Sequence, residues 1–383
     1  MFSTIVLLVV AWSLLGCWAA LGSWVLMDRW LHDRLSDRSR LDADAYVDGR
    51  LDLASIGRRR LERLALGSNS PTAVTAAGSL VGARWFRLVA RASERGASQS
   101  RLHALTILVR AGFPDGLALI RAAIAENNPP LTTAVLRIAA ERQTEEADAL
   151  LLEVLVTGMH PRARTATELE PRAGRLRERL MALASHDDPA VRYWAITLLA
   201  QAMGDSPVAL AVAAHVGDDD PNVRAAVAEA LGSLDARVAR PLLRRLLQDD
   251  AFFVRSHAAR AVAKGGDGML AGKLLPLLAD QNWWVRAAAK ESLLQLGADG
   301  LAVAQRALSH RDRFARDAAL EIILGSGHLQ DLIAAADGGD KAAQKAVNAI
   351  RLQTAEWSIE SLPTGLASPV RLSTRRDEAA AVA

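Results

Sequence analysis

His186-Asp187-Asp188-Pro189-Ala190-Val191-Arg192 is echoed by Asp218-Asp219-Asp220-Pro221-Asn222-Val223-Arg224 and by Asp249-Asp250-Ala251-Phe252-Phe253-Val254-Arg255. Asp280-Gln281-Asn282-Trp283-Trp284-Val285-Arg286 and His310-Arg311-Asp312-Arg313-Phe314-Ala315-Arg316 complete the series. Successive arginines lie 32, 31, 31 and 30 residues apart. A period this regular marks stacked structural units, each too small to bury its apolar face alone. Within a unit, an Asp or Asn caps a helix and the following Val buries. Small residues three, four and seven positions on (Ala226, Val227, Ala230; Ala288, Ala289, Ser292) then face a neighbouring helix. Leucine-rich stretches over 240–247, 270–278 and 301–308 supply a second helix per unit, and Pro241 and Pro276 kink or start two of them.

Working upstream, Asn127-Asn128-Pro129-Pro130-Leu131 fits the cap-and-bury block, and His160-Pro161-Arg162-Ala163-Arg164 fits it poorly. The register predicts buried positions at 131, 163, 191, 223, 254, 285 and 315. Downstream, residues 328–336 and 341–352 predict one more helix pair lacking the Asp and Arg, as a terminal cap would. The expected fold is all-α: an α-solenoid over 71–352, best formed across 186–325, with a mobile tail at 353–383.

The amino-terminal end reads differently. No charged residue occurs before Asp28, and residues 5–27 are long enough as a helix to cross the hydrocarbon layer of about 30 Å. A cleaved signal peptide needs a basic start and a short apolar core, and this segment has neither. We read 1–27 as a single transmembrane helix. Arg29, Arg34, Arg38 and Arg40 follow it, so the positive-inside rule places the rest of the chain in the cytoplasm. Residues 28–70, with nine Arg and eight acids, read as a charged juxtamembrane spacer.

The Asp-Asp, Val-Arg and Ala-x-Ala-Leu-Gly elements of the repeat, as in Asp219–Gly232, resemble the HEAT-like repeat of the phycobilin-lyase type. The resemblance covers roughly residues 80–352. It implies an α-solenoid whose arginine column (Arg192, Arg224, Arg255, Arg286, Arg316) pairs with carboxylates of its own or the adjacent repeat. Asp188, Asp220, Asp250 and Asn282 are the expected polar members of that ladder. It does not imply lyase activity, because the motif is shared by many binding proteins and fold alone does not fix function.

Composition and motifs exclude several chemistries. One cysteine, Cys17, makes no intramolecular disulfide, and no Cys/His spacing suits zinc. Some HEAT-like proteins are di-iron hydroxylases carrying His-Glu dipeptides, and this sequence has none. There is no phosphate loop and no nucleophile elbow. The charge of +3 is a small surplus of 46 basic over 43 acidic residues, so a nucleic-acid partner is not indicated, although Arg162, Arg164, Arg172, Arg175, Arg177 and Arg179 cluster. We therefore expect no catalytic residue, no cofactor and no metal.

Phe252, Phe253, Trp283, Trp284 and Phe314 occupy the same two positions of three successive units. One reading packs them against the next unit. The other makes them an exposed ridge for a protein partner, since Trp and Phe are effective interface anchors. The functional expectation is a non-enzymatic adaptor or scaffold at a bacterial inner membrane, the bacterial source resting on 41 Arg to 5 Lys with abundant Ala. The alternative is an accessory or assembly factor for a cofactor-bearing or envelope protein.

Overall fold

The computed structural model describes residues 42–46, 53, 57–67, 70–82, 85–95, 98–126, 128–202 and 206–355. The expected transmembrane helix at 1–27 and all but the first three residues of the expected tail lie outside them. No helix among the described residues is long and apolar enough to cross a membrane. No strand occurs among them either. The chain divides into two compact units, Met1–Arg172 and Ala173–Ala383.

The first unit contains α1 (Arg58–Ala65), α2 (Pro71–Val81), α3 (Phe86–Arg95), α4 (Ser98–Arg110), α5 (Gly116–Ala125), α6 (Pro129–Ala140), α7 (Glu145–Thr157) and α8 (Arg162–Leu169). Helices α2, α4, α6 and α8 stack on one another in one layer, and the intervening helices pack behind them. Ser70, Asn128 and Thr144 cap α2, α6 and α7 by accepting backbone N–H bonds, which satisfies donors the first helical turn leaves open.

Two expectations need correction in this unit. Leu61, Leu64 and Ala65 of α1 are buried in the core with Ala76, Ala77 and Leu80, so the spacer foreseen over 28–70 ends in packed core. The apolar spacing of Leu61, Leu64 and Ala65 puts all three on one helical face, outweighing the surrounding arginines. Position 163 is exposed, and Thr165 and Ala166 are buried in its place. Pro161 rather than an Asp opens α8, which shifts the buried face by two residues.

The second unit runs α9 (Arg177–Ala184), α10 (Pro189–Gln201), α11 (Ser206–Ala213), α12 (Pro221–Leu231), α13 (Ala236–Leu246), α14 (Phe252–Lys264), α15 (Ala271–Leu274), α16 (Trp283–Gln295), α17 (Ala298–Ala307), α18 (Arg313–Gly325), α19 (Leu329–Asp337) and α20 (Lys341–Ala355). Helices α10, α12, α14, α16 and α18 form one continuous layer, each against the next. Val191, Val223, Val254, Val285 and Ala315 are fully buried at equivalent positions. Pro241 sits inside α13, and Pro276 opens a short 3-10 turn after α15.

Small side chains let the layer close up. Ala258, Ala259, Ala288 and Ala289 are fully buried, and the Ser292 hydroxyl donates to the Ala259 carbonyl at 2.9 Å across α14 and α16. A side chain at Gly232 would meet the Ala261 backbone at 3.1 Å, so α12 ends where only glycine fits easily. Large aromatics cannot enter such an interface, and this decides where the repeat aromatics go.

Candidate functional site

The helix starts of the stacked layer carry an arginine ladder. Arg192 donates through Nε and Nη2 to Asp218 at 2.9 and 2.7 Å, and through Nη1 to the carbonyls of His186 and Asp187. Arg224 repeats this with Asp249 at 2.7 and 2.8 Å and the carbonyls of Asp218 and Asp219. Arg255 does so with Asp280 at 2.8 and 2.9 Å and the carbonyls of Asp249 and Asp250. Each guanidinium thus clamps its own turn with one nitrogen and grips the next repeat with a two-pronged edge.

The gripped carboxylate is the first acid of the following block. The members foreseen from sequence do other work: Asp188, Asp220 and Asn282 cap α10, α12 and α16, and Asp250 offers its carbonyl to Arg255. The missed signal was present in the aligned blocks, whose first position is Asp in the three repeats that receive an arginine. These Asp side chains are largely buried, and that burial pushes their carboxyls up. Hydrogen bonds from Arg192, Arg224 and Arg255, with the backbone N–H two residues on, outweigh it and hold Asp218, Asp249 and Asp280 below the usual range.

The ladder changes at its last two arginines. Arg286 donates from Nη1 to the carbonyls of Asp280 and Gln281 at 2.7 and 3.1 Å, and Arg316 to those of His310 and Arg311 at 3.0 and 2.9 Å. Neither has a carboxylate within ion-pair distance among the described residues. For Arg286 the cause is His310, which stands where the earlier blocks have Asp. Its Nδ1 accepts the Asp312 N–H at 3.1 Å, as Asp280 accepts from Asn282. The imidazole keeps the turn-forming role and drops the negative charge.

The aromatics lie at the same level. Phe252 and Phe253 begin α14, Trp283 and Trp284 begin α16, and Phe314 follows the first residue of α18. Side chains in this first turn precede the buried Val or Ala and project beyond the tight Ala-lined contact. Trp283, Trp284 and Phe314 are 59%, 57% and 55% exposed, Phe252 is 40% exposed, and Phe253 is half-buried. The two Phe rings meet edge-on with centroids 5.6 Å apart, and the two Trp rings do so at 4.8 Å. The Arg286 Cζ sits 4.2 Å over the Phe314 ring, joining the ladder to the aromatic ridge.

Further along the same layer, a groove is lined by Glu229, His257, Arg260, Lys264, Glu291 and Gln295. Its charges are mixed, and Glu229 lies 3.8 Å from the His257 Nδ1. Burial lowers the His257 pKa, aided by Arg260 and opposed by Glu229. The arginine cluster noted in the sequence is partly committed to structure. Arg172 is buried against Asp148 and the Ala140 and Arg142 carbonyls, and Arg162 binds the Leu155 and Val156 carbonyls at the end of α7. Among the described residues no group of three or more His, Cys, Asp or Glu is placed to hold a metal.

Residues 176–263 match the family model for HEAT repeats. The segment carries HEAT repeats. Among solved structures, a Kap121p mutant is 14% identical over 80% of this chain and 42% of its own, with a TM-score of 0.49. This chain therefore spans less than half of that protein's length. An engineered protein is 17% identical over 78% of this chain and 97% of its own, TM-score 0.35. Human deoxyhypusine hydroxylase is 16% identical over 68% and 100%, TM-score 0.28. No curated protein matches the sequence significantly.

Proposed function

We propose that this chain is a membrane-anchored adaptor that holds a protein partner through the ridge at the starts of α14, α16 and α18. The observation that carries the reading is the exposure of Phe252, Trp283, Trp284 and Phe314 at one level of three successive helices of the stacked layer. Monomeric proteins scatter exposed apolar residues singly, and a contiguous group of large aromatics marks an interaction surface. A stack of repeats presents such a surface on a rigid backing, which suits recognition more than chemistry. The lyase-type resemblance of the Asp219–Gly232 block enters this reading as a repeat type only and contributes no activity.

The anchor in this proposal is the uncharged segment 5–27, with the repeats on the cytoplasmic side of a bacterial inner membrane. Alkaline carbonate extraction tests it: the full chain stays in the membrane pellet and a chain lacking residues 1–27 is released, whereas release of both refutes the anchor. The adaptor role is tested by replacing Phe252, Phe253, Trp283 and Trp284 with Ala and isolating complexes from detergent. A stoichiometric partner present with the natural sequence and lost in a variant of unchanged melting temperature supports the proposal. A partner retained at the same stoichiometry refutes it.

A further inference from the structure

Resting on the adaptor reading, we infer that the partner is an acidic peptide segment whose Asp or Glu carboxylate, placed beside an apolar side chain, docks on the open edges of Arg286 and Arg316. The argument comes from the repetition inside this molecule. Three ladder arginines use their Nε–Nη2 edge to take a carboxylate two-pronged at 2.7 to 2.9 Å. Arg286 and Arg316 are held by the same Nη1 bonds to two carbonyls, so the same edge is oriented by the same clamp. It has no carboxylate to receive.

Neither edge is sealed in the interior, both arginines being half-buried. The one buried side-chain polar atom without a partner among the described residues is the Thr165 hydroxyl, far from the ladder in sequence and in the other unit. An oriented guanidinium edge that is not fully buried and lacks a carboxylate is a ready receptor for a planar anion.

Charge and shape around the two edges agree. Arg311 is exposed and the Arg313 side chain is 75% exposed, adding positive charge beside Arg316. The acids present are occupied: Asp280 by Arg255, Asp312 by the α18 cap, and Asp317 by Arg313 at 3.4 Å. At the other end of the ridge the exposed Asp250 precedes Phe252, so the cationic end is the one formed by α16 and α18. There Trp283, Trp284 and Phe314 supply apolar contact immediately beside the guanidinium, which is stacked on Phe314. A carboxylate, rather than a phosphate, is the favoured anion because it is what this edge takes in the three closed rungs.

The experiment is a selection of phage-displayed random dodecapeptides on the full chain in detergent micelles, followed by anisotropy titration of the enriched peptide. The expected consensus places Asp or Glu next to a bulky apolar residue. Changing that acid to its amide, or making Arg286→Gln, should weaken binding roughly ten-fold or more, the usual effect of losing a charge-assisted bond. His310→Asp is the second variant: it supplies an internal carboxylate to Arg286, so binding falls while the melting temperature holds or rises.

A basic or uncharged consensus overturns the inference. So does an acidic peptide whose affinity ignores both Arg286→Gln and His310→Asp. Displacement of the peptide by inorganic phosphate or a soluble phosphatidylglycerol at far lower concentration than by acetate assigns the edge to phosphate and also overturns it. If the Trp283→Ala/Trp284→Ala variant loses the peptide and Arg286→Gln does not, the ridge reading survives alone. A selection that enriches nothing on the chain over bare micelles contradicts both.

Discussion

The ladder contains two regions built on one plan and differing in one ingredient. At Arg192, Arg224 and Arg255 each guanidinium closes on an Asp of the next repeat. At Arg286 and Arg316 the clamp persists and the acid is gone. The closed region has Pro or Phe at its helix starts and the open region has Trp and Phe that are more than half exposed. On the proposed reading, stability and recognition are served by the same residue type at successive levels, and the presence or absence of one carboxylate decides which.

The comparison is broken most forcefully by removing a closed rung. Arg224→Ala leaves the Asp249 carboxylate buried without its partner, and we expect a loss of about 3 kcal/mol in urea unfolding. Arg286→Ala strands no carboxylate and should cost about 1 kcal/mol or less. Equal losses would show that the rungs do not differ as described.

Acid separates the two regions next. Asp218, Asp249 and Asp280 titrate below their unfolded value near 3.9. Their contribution is complete above that value and disappears as pH falls through the lower folded values. Melting temperature should therefore drop steeply below about pH 4, and less steeply in a variant with all three Asp changed to Asn. That variant starts from a lower melting temperature at neutral pH. A natural chain with no acid limb would contradict the assignment.

Closing an open rung sharpens the comparison from the other side. His310→Asp restores the ion pair with Arg286 and should gain about 1 kcal/mol, read in the same urea titration. The smallest effect is expected at the ridge: Trp283→Ala/Trp284→Ala should change stability by only about 0.5 kcal/mol, as for surface positions without buried partners. A loss of several kcal/mol there would mean that the indoles are core.

The period and the buried Val column were legible in the sequence because each repeat states them in full. Burial at 191, 223, 254, 285 and 315 follows from an apolar residue at a fixed distance from a cap. The ladder was half legible. The arginines stand out, but cap acids and pairing acids are the same residue type one or two positions apart, and only stacking distance separates Asp218 from Asp220. Whether Trp283 faces core or water was open in the sequence, since an aromatic at the first turn suits either. The Ala-lined contact between α14 and α16 leaves no room for it inside.

In the first unit the ion pairs were not legible at all. Arg110 reaches Glu141 and the Ala65 and Gly67 carbonyls from the end of a helix, and Arg172 reaches Asp148, without a recurring spacing to announce either pair.

The exposed ridge is the claim on which the account depends, and collisional quenching tests it most directly. Acrylamide quenching of the natural chain, minus that of Trp283→Phe/Trp284→Phe, isolates the two indoles from the other seven tryptophans. The account predicts a difference signal quenched nearly as readily as free tryptophan and shielded once a bound peptide is present. A difference signal shielded in the free protein would place both rings in packing and contradict the proposed surface.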